Sequence, residues 1–351
     1  METVALLREL SQSTGLSGHE QEPREIARRA MAPYAHDFRV DALGNLIAVR
    51  RGARPEGAPV RGIMLAAHTD EIGLMVTGYN GGFLRFARVG GVDVRTILGQ
   101  EVVVHGRRPL PGIIASRPPH VVPAEERRRA IPIDELYIDV GLPEARLRAE
   151  VRIGDLVSMR RDVLELAEGY LAGKAFDDRA GVVSLARCLE LLAGMRHEWD
   201  VYAVATTQEE VGLFGAMVAA FGVAPDLAIA VDVGFGKQPG VADDEAIAMD
   251  GGPAVALGPN IHPLLYERLV ETARAHELKH QIEPAPGATG TDAWAIQVAR
   301  EGIPSALLSI PLRYMHTTVE TVCVKDIERT ARLMALTIAG LDEAFAARMG
   351  L

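Results

Sequence analysis

The chain is poor in several things, and each lack excludes something. Its only cysteines, Cys188 and Cys323, lie far apart in apolar contexts, too few for a disulfide framework or a thiolate metal cluster. Lysine occurs only at 174, 237, 279 and 325, so positive charge is almost all arginine, and that usage points to no function. No apolar run approaches the roughly 18–20 residues that cross a bilayer. Basic excess is lacking too: the formal charge is −10, which argues against nucleic acid as the main partner. Residues 1–10 are charged and amphipathic, with neither the apolar core nor the cleavage site of a signal peptide. The expectation is a cytoplasmic protein with no nucleic-acid or membrane partner.

What is present fits an ordinary folded chain, neither disordered nor fibrous. With 48% hydrophobic and 24% charged residues the composition is that of an average globular chain, and 351 residues have room for roughly two domains. The rhythm predicts helices at 4–10 and 22–32, two strands around a Gly-Asn turn between Phe38 and Val49, and a doubly buried strand at Ile63–Ala67. From 71 to 162 the texture changes to short strand-like runs (74–76, 83–87, 101–104, 112–115, 156–159), with a helix near 144–150 and prolines crowded between 109 and 132. The charge run 125–129 reads as a solvated loop or helix end. After Tyr170 the α/β alternation returns: helices at 180–192, 213–221, 263–275, 291–299 and from 325 to 349, and strands at 201–206, 227–231, 278–282 and 306–310. The fold expected is α/β: residues 1–70 and 163–351 form one mixed-sheet domain with helices on both faces, and 71–162 form an inserted β-rich domain.

The informative residues stand just past the ends of the strands. Ile63–Ala67 runs into His68-Thr-Asp70-Glu71, Val201–Thr206 into Glu209-Glu210, Leu227–Val231 into Asp232, and Ala306–Ile310 towards Arg313-Tyr-Met-His316. Lys174-Ala-Phe-Asp177-Asp178 places two further acids before a helix. Ligand sites of open α/β sheets lie beyond the carboxyl ends of the strands. Several carboxylates gathered there need a cation to neutralise them, and two histidines with three or more carboxylates suit one or two divalent ions of the zinc type.

At these residues the chain resembles the M42 metallo-aminopeptidases. The resemblance runs through Ala67-His-Thr-Asp-Glu-Ile-Gly73, Ser116-Arg-Pro-Pro-His120 to Gly141, Lys174-Ala-Phe-Asp-Asp-Arg179, Thr207-Gln-Glu-Glu-Val-Gly212, Val231-Asp-Val-Gly234, Gly290-Thr-Asp-Ala293 and Arg313-Tyr-Met-His316. It implies a zinc-exopeptidase-like catalytic domain and an insertion through which relatives form dimers and then tetrahedral dodecamers. It implies His68 and Asp232 as ligands of one metal, Glu210 and His316 of the other, Asp177 bridging, Glu209 as general base, and Asp70 orienting and polarising His68 from behind. Two such cations about 3.5–4 Å apart lower the pKa of a shared water, whose proton Glu209 takes and returns to the leaving amine. Zinc is the first expectation for both ions, with cobalt or manganese as alternatives. Small peptides are the implied substrates, cleaved at their N-terminal residue, with Arg313, Tyr314 and Asp292 as candidate substrate contacts. Thr317-Thr318 departs from the Ser-Pro frequent in relatives. N-acyl amino acid deacylation, glycan hydrolysis and a non-catalytic assembly protein are the competing readings.

Three other features read as structure. His276-Glu-Leu-Lys-His280 has the H-E-x-x-H letters, but that chemistry needs one continuous helix, and the helical pattern fades at Ala275. Gly234–Gly240 lacks the spacing of a phosphate loop and reads as a loop lining the site. Gly287–Ala293 reads as a turn with Thr291 or Asp292 capping a helix. For Asp178 a salt bridge to Arg179 and a catalytic role are equally open.

Overall fold

The structure, a computed structural model, describes residues 2–123, 125 and 129–351. The charged run at 125–129 lies outside the described residues at 126–128.

Two sheets organise the chain. The larger is mixed, and its central strands Asp200–Thr206, Gly62–His68, Leu227–Phe235 and Ser305–Arg313 lie side by side in parallel. Asp37–Val40 and Leu46–Arg50 extend it antiparallel on one side, and Glu320–Cys323, Tyr170–Gly173 and Leu164–Glu165 on the other. Ala254–Leu257, which pairs with Ser305–Arg313, carries Gln281–Pro284 beside it. Every residue of Gly62–His68 is buried, as a parallel strand covered on both faces must be. Alternation splits its side chains between two cores. Ile63, Leu65 and Ala67 join the cluster fed by the helices Thr3–Gln12, Gln21–Met31, Phe176–Ala193 and Val324–Ala339. Met64 and Ala66 face Phe214–Val223 and Asp292–Gln297.

Between Gly73 and Met159 six antiparallel strands close a small barrel, in the order Gly73–Asn80, Phe83–Val89, Tyr137–Asp139, Pro109–Ala115, Glu101–His105, Leu156–Met159. Its core is separate: Leu74, Val76, Leu84, Phe86, Val102, Val104, Ile138 and Val157, with Leu147 from the helix Glu144–Glu150. Met75 is exposed between buried Leu74 and Val76, and exposed Phe83 and Arg85 flank buried Leu84, the period-two pattern of strands with one face inward.

Some elements differ from the expectation. The strand expected at 278–282 is Gln281–Pro284, because Glu277 turns with a positive φ of 52° and Leu278 closes back onto Ala273 O. The helix expected from 325 to 349 is two, Val324–Ala339 and Glu343–Met349, separated at Gly340 and restarted by Asp342, whose side chain accepts from Phe345 N. Leu227–Phe235 carries Asp232 within the strand, and the last central strand runs on to Arg313. Tyr137–Asp139 and Glu320–Cys323 were not anticipated; three or four residues show too little alternation to be read.

Candidate metal centre

The parallel register sets the first half of the site. Thr206 pairs with His68, and Ala230 with Ala66 two residues before Asp232 and His68. His68 and Asp232 therefore leave neighbouring strands at the same level. Asp177 arrives from the first turn of Phe176–Ala193, which packs against this edge; its peptide bond to Asp178 is cis. One ligand atom each from His68, Asp177 and Asp232 lies within 4.8 Å of the others, and the same holds for Asp177, Glu210 and His316. Asp177 is common to both groups. Its Oδ1 is 3.1 Å from His68 Nε2 and its Oδ2 3.4 Å from His316 Nε2, while Glu210 Oε1 is 3.6 Å from His316 Nε2. Glu209 Oε2 lies 3.8 Å from His68 Nε2.

Donor chemistry shows that divalent cations fit. His68 Nδ1 is 3.2 Å from Asp70 O, and His316 Nδ1 is 3.1 Å from Gly91 O. A carbonyl oxygen only accepts, so each Nδ1 carries a proton; each Nε2 would turn its lone pair to a bound cation, as metal-ligating imidazoles do, and in the metal-free chain it donates a proton towards Asp177 instead. Asp178 Oδ2 is buried without a partner among the described residues. The acids are short of positive charge. Burial and the neighbouring Asp177 push Glu210 up to about 7 and Asp232 well above the carboxylate range. Burial pushes Glu209 up to about 10, with Asp232, Asp292 and Glu210 adding to the rise against His68. Of the acids in the two ligand groups, only Asp177 is held low, against its burial, by His316 and His68. Hydrogen bonding to Asp177 in turn raises His316 to about 9. Cations replacing these protons would relieve the cluster.

The cluster opens into a cleft of about 440 Å³ whose walls include Glu209, Glu210, Phe235, Glu283, Trp294 and Met315. Asp70 does more than stand behind His68. Its carboxylate accepts from Glu209 N (3.0 Å), Glu210 N (3.2 Å) and Ser17 Oγ (2.6 Å), so it also fixes the loop after Asp200–Thr206. Glu320 was missed as a candidate although it lies four residues after His316. Buried, it accepts from His316 N (2.9 Å), Phe176 N (2.7 Å) and Asp177 N (3.1 Å), tying the two loops together. Nothing in local spacing could have singled it out.

The candidate substrate contacts fall elsewhere. Arg313 donates to Lys237 O and lies over the Tyr170 ring, and Tyr314 N donates to Gln238 Oε1; neither is among the residues lining the cleft. Asp292 is buried and accepts from Thr206 Oγ1 at 2.6 Å, and burial raises it to about 6. Thr291 is the residue before that helix but makes no side-chain capping bond. Asp178 forms no ion pair with Arg179: it accepts from Gly181 N, while Arg179 turns to Glu71 and to the carbonyls of Leu10, Ser13 and Thr69. His276 ends its helix and His280 lies beyond it, off any common helical face.

An α/β sheet with imidazoles and carboxylates gathered around a cleft at its carboxyl edge has the arrangement of a ligand-binding, metal-competent site. Residues 44–333 match the family described as M42 glutamyl aminopeptidase. The lysyl aminopeptidase of Pyrococcus furiosus is 36% identical over 336 residues, covering 93% of this chain and 94% of its own. An aminopeptidase structure from the archaeon Desulfurococcus kamchatkensis superposes with a TM-score of 0.90 at 36% identity, over 98% of this chain and 96% of that one. The TET1 peptidase of Pyrococcus horikoshii, which can assemble into a tetrahedron or a large octahedral shell, gives 0.85 at 31% identity, over 97% and 100%. The chain belongs to the M42 peptidase family, peptide hydrolases of the aminopeptidase class.

Proposed function

We propose that the chain is a dinuclear metal-dependent aminopeptidase with a zinc-exopeptidase-like catalytic domain, removing N-terminal residues from small peptides. The observation that carries this reading is the pair of three-residue groups sharing Asp177, with Glu209 at the cleft wall beside them. His68 and Asp232 would hold one ion, Glu210 and His316 the other, and Asp177 both. Bound cations, zinc first and cobalt or manganese as alternatives, would lower the pKa of water at the centre, polarise the scissile carbonyl and favour ionised Glu209. Glu209 then takes the proton of the attacking water and passes it to the leaving amine. The cleft walls hold the N-terminal residue, and the surplus of carboxylates suits its free amine. Asp70 and Glu320 keep the ligand-bearing loops in register by accepting their amides.

In this reading residues 71–162 are an inserted domain through which copies dimerise and build a large homo-oligomer, a dodecamer in the first instance, in the cytoplasm. The assembling TET1 relative supports it, as does the barrel's separate core.

The test is elemental analysis of the purified protein beside hydrolysis of aminoacyl-anilides. Two equivalents of metal and release of the anilide are expected. Glu209→Gln should keep the metal and lose about 10²- to 10⁴-fold in kcat; full activity in that variant would remove Glu209 from the mechanism.

A further inference from the structure

The loop that carries Glu209 and Glu210 is held in an unusual way. Four consecutive amides, from Thr207 to Glu210, all donate to side chains: Thr207 N to Asn45 Oδ1 (2.9 Å), Gln208 N to Glu20 Oε1 (3.1 Å), Glu209 N to Asp70 Oδ1 (3.0 Å) and Glu210 N to Asp70 Oδ2 (3.2 Å). The chain has left the sheet here, and Gln208 has a φ of 56°, in the left-handed region that side chains adopt at a cost. Something outside the loop must impose that conformation.

Glu20 is otherwise hard to account for. It is 3% exposed and forms no ion pair with a Lys, Arg or His among the described residues. It lies close enough to buried Asp70 to feel its charge, and burial with that repulsion raises it to about 7. An acid so placed costs stability. The same Oε1 accepts from Gly18 N (2.6 Å) and Gln208 N, joining the N-terminal loop to the catalytic one. Ser17, three residues before it, holds Asp70 by its hydroxyl. One short segment thus supports the acceptors of three of the four amides.

We infer that Glu20 is a positioning residue, whose carboxyl oxygen fixes Gln208 and thereby aims Glu209 and Glu210 at the metal centre. This rests on the roles proposed above for those two acids. The requirement is for an acceptor oxygen at one reach, rather than for a negative charge. Gln places an oxygen where Glu does; Asp keeps the charge but is one methylene short.

The experiment compares Glu20→Gln with Glu20→Asp, using Glu20→Ala where the Asp variant does not fold. Wild-type and variant chains are loaded with zinc and assayed on aminoacyl-anilides. Metal-free samples are followed by amide hydrogen exchange across residues 207–213. Glu20→Asp should lose about 10- to 100-fold in kcat, the range for residues that orient a metal site from behind, with a much smaller change in KM. Exchange at 208–210 should quicken in the same variant, while Glu20→Gln restores both readouts. Unchanged exchange and kcat in Glu20→Asp would overturn the inference, and so would a folded Glu20→Gln as impaired as Glu20→Asp. A wild-type chain that hydrolyses no anilide would defeat the reading of the centre instead, and the exchange comparison would still decide the role of Glu20.

Discussion

The two halves of the centre are built on different principles. His68 and Asp232 come from adjacent parallel strands inside the sheet and are buried, 1% and 6% exposed. Their spacing is imposed by strand register, with neighbouring strands roughly 4.8 Å apart. Glu210 and His316 stand on loops. His316 has a left-handed φ of 61°, its ring is a third exposed, and its Nδ1 leans on Gly91 O, beyond the end of the barrel strand Phe83–Val89. The sheet guarantees one half; the other depends on two loops, the N-terminal segment and the barrel meeting correctly. On the proposed reading such a centre would have a rigid ion position and an adjustable one, joined at Asp177.

The largest expected effect comes from removing what the halves share. Asp177→Asn should abolish turnover and leave less than about one ion per chain, because both groups lose a ligand. His316→Ala should keep about one ion in the buried position, whereas Asp232→Asn, left with only the loop-built position, should keep less than about one. Elemental analysis after dialysis checks this, and equal metal contents in the last two variants would break the comparison.

A smaller effect concerns the residues beneath the buried half. Glu71, three residues after His68, accepts from Lys174 Nζ (2.5 Å) and lies 3.5 Å from Arg179, all three buried. Lys174 and Arg179 hold Glu71 below the usual carboxylate range against its burial. Glu71→Ala leaves two cations buried without their carboxylate and should cost about 3–5 kcal/mol in urea denaturation of the metal-free chain. Lys174→Met with Glu71→Leu should recover part of that loss, because an apolar pair carries no desolvation penalty.

The last effect is gradual, the response of the metal-free chain to pH. Glu20 and Glu210 are raised to about 7, Asp292 to about 6 and Glu320 to about 8, in each case first by burial. Between the unfolded carboxylate range and these values the folded state holds protons that the unfolded chain has released. Stability therefore falls as pH rises, by about 1.4 kcal/mol per pH unit for each proton so held. Melting temperatures of stripped protein should decline from pH 5 to pH 8, and zinc should flatten that slope. Zinc titrations in buffers of different ionisation enthalpy should show protons released on binding. A flat profile in the stripped chain would mean that the acids are already neutralised.

Much of the larger sheet was legible because its central strands are buried on both faces and read as unbroken apolar runs, Ile63–Ala67 above all. The chemistry-bearing residues were legible because they stand where such runs end. Arg313 and Tyr314, three and two residues before His316, are not among the residues lining the cleft: the Arg313 guanidinium donates to Lys237 O and the Tyr314 backbone amide to Gln238 Oε1. Glu20 and Glu320 gave no signal, since each acts on backbone amides and so needs no partner side chain that a motif could record.

By itself the sequence determined which elements form and which side chains stand at their ends, because burial and turn chemistry leave periodic marks on neighbouring residues. Only the tertiary structure decided that Asp70 serves two loops and that four amides in a row find acceptors on Asn45, Glu20 and Asp70. The physical reason is that a backbone N–H is the same at every position, so the partner that a loop will find is written only in where distant segments come to rest.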